Sequence, residues 1–168
     1  MNPFCFVIDG RPATKKNSNR VFGRRVLPSK AYVAYEKDFR RQLVELGRRV
    51  ALPHFTGPVL VQARYYLPDK AHWPDLTGLM QATADIMSDE TGIVGGRRQT
   101  VRMWLLHDDK QIRSWDGTEI AGIDKKHPRA EIVIVPLDPK DEIDMVVTAK
   151  EAGASHKKQT GQITFSFS

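Results

Sequence analysis

Two stretches of this chain repeat apolar side chains on a helical period, and the runs around them do not. Tyr32, Tyr35, Phe39, Leu43 and Leu46 recur at steps of three and four, which gathers them into one stripe. Ser29 stands before the first turn as an N-cap and Gly47 interrupts the run, so a helix is expected from Ser29 to about Leu46. A second helix is expected from Asp75, an N-cap after Pro74, to about Met87. Its apolar positions are Leu76, Leu79, Met80, Thr83, Ile86 and Met87. Such stripes must be covered by another apolar surface. The strands that could cover them are Phe4 to Asp9, Val59 to Leu67 and Ala130 to Val135, with weaker candidates at Val101–Leu106 and Lys110–Trp115. Residues 10–28 and 88–100 read as loops and 116–128 as irregular, because glycine, proline and asparagine punctuate them.

A length of 168 residues suits one domain with a sizeable core and leaves little room for two. The expected division is a domain over 1–136 and a weakly patterned tail over 137–168. That tail is expected to be partly disordered, with Ile163-Thr164-Phe165 as a candidate edge strand. With 40% hydrophobic and 27% charged residues, the chain is neither a fibre nor a disordered polymer. No apolar run is long enough to span a bilayer, and residues 1–9 lack the features of a secretion signal. The single cysteine, Cys5, can form neither an internal disulfide nor a zinc cluster. A reducing compartment, the cytoplasm, is therefore expected, with no membrane partner.

Charge is distributed unevenly. Residues 1–50 hold 12 Lys/Arg against 4 Asp/Glu, and the remainder holds 14 against 16, so the overall +6 is the sum of +8 and −2. Such a bias suggests a polyanion-binding face. The competing reading is a solvated basic surface. A metal-dependent nuclease needs both halves, because cations hold phosphates and carboxylates hold the metal.

Two acidic elements could carry chemistry: Asp75 at a helix start, and His107-Asp108-Asp109 between two candidate strands. Two chain segments that each give one aspartate can build a Mg²⁺ site. The competing readings are a plain helix cap for Asp75 and a polar turn for the doublet. Thr77, Gln81 and Asp85 share the polar face of the second helix. Asp85 lies ten residues from Asp75, roughly 15 Å along the axis, so the two cannot ligate one Mg²⁺. Asp85 reads as a supporting group that pairs with a basic residue. The five histidines show no His-x₃-His spacing, so no histidine metal site is expected. Gly92 to Arg98 is not a phosphate-binding loop but a basic surface loop able to touch DNA. Trp73, Trp104 and Trp115 read as core or interface residues.

The order of motifs over about residues 4–136 resembles the RusA-type Holliday-junction resolvases. The resemblance rests on Ala13-Thr14-Lys15-Lys16-Asn17-Ser18, on Pro28-Ser29-Lys30-Ala31-Tyr32 leading into Tyr35-Glu36, and on Gly57-Pro58-Val59. It continues through Pro74-Asp75-Leu76 before a helix ending in Asp85-Ile86-Met87, and through Asp108-Asp109-Lys110-Gln111-Ile112. It implies an α+β domain, a small mixed β-sheet with two main helices packed on it, in a homodimer. It also implies a structure-selective endonuclease, often phage-borne, that resolves four-way DNA junctions with Mg²⁺ in the cytoplasm of a bacterial host, Mn²⁺ being a substitute.

Carried over by position, Asp75 and Asp109 are the catalytic metal ligands, Asp108 assists, and Asp85 matches an aspartate near the helix end. Lys15, Lys16, Asn17, Arg20, Arg24, Arg25 and Lys30 would hold DNA. The chain departs from the family pattern in having Thr77 for a second aspartate, Gly78 for an asparagine and Gln81 for a lysine, and in a stretch about a dozen residues longer after Asp85. Thr77 and Gln81 could give polar support to the site. Asp108, His107 or Asp89 could replace the missing ligand. A catalytically inactive protein that binds branched DNA is the alternative reading.

Overall fold

Along β4 (Val59–Leu67), strict alternation sends Val59, Val61, Ala63, Tyr65 and Leu67 to one buried face. In the computed structural model, which describes residues 2–15, 20–22, 25–71 and 73–137, this strand is the centre of the sheet. On one side it pairs antiparallel with β9 (Arg129–Pro136), which pairs antiparallel with β1 (Phe4–Asp9). On the other side β7 (Ile112–Ser114) and β8 (Glu119–Ile123) run parallel to it. The sheet is therefore mixed and five-stranded, in the order β1-β9-β4-β7, with β8 also on β4. The chain folds as an α+β domain, as expected.

Two helices close one core with this sheet. In α1 (Lys30–Gly47) the stripe residues Tyr32, Tyr35, Phe39 and Leu43 are buried. The Ser29 hydroxyl accepts from Tyr32 N at 3.0 Å and caps the first turn. In α2 (Leu76–Met87) the buried residues include Leu79, Ala82, Ile86 and Met87. They join Phe6, Ile8, Val61, Ile132 and Ile134 in the core. Tyr65 ties β4 to α2, its buried hydroxyl lying 2.7 Å from Thr83 Oγ1. Trp104 is buried and Trp115 packs against the core, whereas Trp73 is about half exposed at 49%.

Several expectations need correction. The stretch read as a loop over 10–28 contains a hairpin, β2 (Arg20–Phe22) with β3 (Arg25–Leu27). The loop at 88–100 and the strand at Val101–Leu106 are replaced by a second hairpin, β5 (Glu90–Val94) with β6 (Arg97–Arg102). Its turn, Gly95-Gly96, has φ of +58° and +76°, which suits glycine and fits the twist of a two-residue hairpin turn. Every residue of β6 is exposed, so no buried face shaped its sequence. Residues 116–128, read as irregular, include β8. α1 does end at Gly47, with Arg48 as its C-cap. The tail 138–168, with its candidate edge strand, lies outside the described residues. Among the described residues no helix is long and apolar enough to cross a membrane.

Candidate functional site

The C-terminal turn of α2 carries Asp85 towards the turn that holds the Asp108-Asp109 doublet. A cleft of about 640 Å³ is lined there by Asp85, Asp89, His107, Asp108 and Asp109, faced by Lys15, Arg40 and Arg98. Lys15 Nζ meets Asp85 Oδ2 at 3.1 Å and lies 5.8 Å from the centre of the Tyr32 ring. Asp85 is thus paired with a basic residue, as its position on the polar face suggested. Arg40 is less available, because its guanidinium pairs with Glu36 at 3.0 Å and Glu90 at 2.6 Å.

The two aspartates of the doublet do different work. Asp108 has extended backbone and opens a short 3₁₀ turn, Asp109–Gln111. Its carboxylate accepts from Lys110 N at 2.9 Å, and Gln111 Oε1 accepts from Asp108 N at 2.9 Å. Gln111 Nε2 then donates to Phe55 O at 3.1 Å and Gly57 O at 2.8 Å, which fixes the turn to the segment before β4. The Lys110 N–H holds the Asp108 carboxyl below its ordinary range. Asp109 is shifted the other way, first by partial loss of water and then by the neighbouring Asp108 and Asp85. Of the two, Asp109 is therefore the carboxyl that is harder to ionise. A divalent cation beside it would relieve the like-charge crowding.

Asp75 is placed differently. It caps α2, and both carboxylate oxygens accept from Gly78 N at 3.2 Å. A Cβ at Gly78 would run into Asp75 Oδ1, so glycine at this position is what lets the carboxylate sit so close. The cleft that groups Asp85 with the doublet does not have Asp75 among its lining residues. Asp75 stands at the opposite end of α2 from Asp85, roughly 15 Å away by helical rise. The pair that the sequence singled out, Asp75 with Asp109, is therefore not the grouping of this cleft. Thr77 and Gln81 are exposed on α2. Asp75→Ala should lower stability by about 1 kcal/mol through loss of the cap, and Asp75→Asn by no more than a few tenths. Urea denaturation of the two variants checks this, and a fall in cleavage by the still-stable Asp75→Asn would report its charge rather than the cap.

Of the expected DNA-binding residues, Lys15 and Lys30 are exposed. Arg20 lies in β2 and Arg25 in β3. Lys16, Asn17 and Arg24 lie outside the described residues. Arg98 enters the cleft lining from the β5–β6 hairpin, and Arg97 and Arg98 are both exposed on its second strand.

One grouping escaped the sequence. His54, Asp89 and His107 each offer a ligand atom, all within 4.8 Å of one another, and together could hold a metal ion. The histidines are far apart in sequence and follow no local ligand spacing. They meet because Leu106 forms isolated parallel bridges with both Phe55 and Ser88. No family model matches the chain. No curated protein matches it significantly.

Proposed function

We propose that the chain is a Mg²⁺-dependent, structure-selective endonuclease that resolves four-way DNA junctions as a homodimer, in recombination or repair in the cytoplasm of a bacterial host, and encoded by a phage or prophage. The observation that carries this reading is the convergence of Asp85, Asp108 and Asp109 on one cleft faced by Lys15 and Arg98. Hydrolysis of a phosphodiester needs carboxylates for a hard cation and cations for phosphates in the same place. Asp109, with its carboxyl raised first by partial loss of water and then by its acidic neighbours, and Asp85 would hold Mg²⁺, with Mn²⁺ as a substitute. When bound, Mg²⁺ supplies charge neutralisation at the phosphate and an acidified water. Asp108 holds the turn that aims Asp109. Lys15 and the hairpin arginines would orient the strand.

The test is cleavage of a synthetic four-way junction beside a matched linear duplex, in Mg²⁺ and in chelator. Paired nicks near the crossover, in metal only and in the junction only, are the expected result. Equal cutting of the linear duplex would remove the structure selectivity.

Most of the binding energy should come from phosphate contacts, so affinity should fall linearly on a log–log plot against salt. Replacing both Arg97 and Arg98 with alanine should reduce that slope by about 2 if each engages one phosphate. Fluorescence anisotropy over a salt series measures it, and an unchanged slope would take the hairpin out of the interface.

Thr77, Gly78 and Gln81, which replace an aspartate, an asparagine and a lysine of the resolvase pattern, favour a second reading. In it the protein binds branched DNA without cutting. It predicts equal junction affinity in Mg²⁺ and in chelator, with no nicks in either.

A further inference from the structure

We infer that His54, Asp89 and His107 form a binding site for a late first-row divalent cation of the Zn²⁺ class, separate in ligand chemistry from the carboxylates proposed to hold Mg²⁺. The inference does not depend on the nuclease reading. Asp89 is the centre of the site. Its side chain is only 1% exposed, and its Oδ1 accepts from Trp104 N at 2.8 Å. Its Oδ2 lies 3.1 Å from His54 Nε2 and 3.3 Å from His107 Nδ1. Among the described residues its only ion partners are these two rings. A carboxylate withdrawn from water requires a compensating positive charge. A divalent cation held by Asp89 and the two rings would provide it.

The distances suit a metal. Ligand bonds of about 2.0–2.2 Å in tetrahedral geometry put ligand atoms roughly 3.3 Å apart. The two histidine-to-Asp89 separations, 3.1 and 3.3 Å, already lie at that spacing. The three ligand atoms lie within 4.8 Å of one another, so closure needs a modest shift of one ring. His107, whose side chain is 60% exposed, is free to make it. Two imidazoles and one carboxylate suit Zn²⁺, Ni²⁺ or Cu²⁺, whereas Mg²⁺ and Ca²⁺ prefer oxygen alone. Three protein ligands leave a position open for water or another ligand.

The backbone around the site is already fixed. His107 N donates to Phe55 O at 3.1 Å, and Asp89 N donates to Leu106 O at 2.9 Å. A bound cation would join three chain segments and anchor the residue immediately before Asp108-Asp109.

Titration of the metal-stripped full chain with Zn²⁺ by calorimetry, with the visible absorption of Co²⁺ as a second probe, tests the inference. One Zn²⁺ per chain is expected, not displaced by excess Mg²⁺, together with a raised melting temperature. His107→Gln, at an exposed ring, should keep the fold and weaken Zn²⁺ at least about 10-fold, since even outer-shell changes cost 10- to 100-fold. The His54→Gln/His107→Gln pair should abolish the site, whereas His127→Gln should change nothing. No uptake by wild type, or equal uptake by the double variant, would overturn the site. Junction cleavage in Mg²⁺ is read separately, so neither result depends on the other.

Discussion

Asp109→Asn is expected to lower junction cleavage at least about 100-fold while junction affinity in chelator stays near wild type, the size of loss seen when one electrostatic group is taken from a reacting centre. The amide keeps the shape of the side chain and removes the charge that Mg²⁺ would need. Asp85→Asn should act in the same direction, and it would also free Lys15. Stability should move the opposite way. The Asp109 carboxyl is raised in the fold, so once ionised it costs stability relative to the unfolded chain. That cost is present above its folded-state range and vanishes at acid pH, where both states are protonated. Asp109→Asn should therefore be more stable than wild type near neutral pH, by about 0.5 kcal/mol or less because the site is open to water and salt. The gain should fade as the pH falls through the carboxylate range. A variant that is more stable and inactive marks a residue kept for chemistry. If Asp109→Asn were less stable and fully active, the residue would be a turn former.

The largest effect on stability should come from Phe39→Ala. Phe39 is wholly buried, with its ring edge-on to Phe6 at 6.2 Å and to Tyr35 at 5.8 Å between centroids. Removing it strips the middle of the α1 stripe and leaves a cavity between helix and sheet. The expected cost is about 3–5 kcal/mol, a large share of the ~5–15 kcal/mol that holds a typical domain. The urea midpoint should fall with its slope unchanged. Val33, on the exposed side of the same helix, is the control, and its replacement by alanine should stay within about 0.5 kcal/mol.

Where one face of an element is buried, the sequence was readable. The alternation of β4, the β-branched run of β9 and the two helical stripes each follow from burial on one side. Where neither face is buried the pattern vanishes. Arg97 to Arg102 is exposed throughout, and its strand depends on the Gly95-Gly96 turn and the opposite strand rather than on any periodicity. β8 is short and contains Gly122, whose φ is +154°. The same contrast runs through the candidate site. The doublet, and the pairing of Asp85 with some basic residue, could be inferred locally, but not that this residue is Lys15, 70 positions away. The grouping of Asp85 with Asp109 could not, because it depends on how α2 meets the Asp109–Gln111 turn. His54 was invisible for the same reason, since it lies 35 residues from Asp89 and reaches it only through long-range bridges at Leu106.

The most direct measurement is single-turnover cleavage of a four-way junction by wild type and by the Asp85→Asn/Asp109→Asn pair, in Mg²⁺, Mn²⁺ and chelator, with junction binding read in the same samples. Metal-dependent paired nicks from wild type, lost in the double variant at undiminished binding, are expected if the cleft is catalytic. Tight junction binding by wild type without nicks in any metal, or nicking that survives the double substitution, would contradict it.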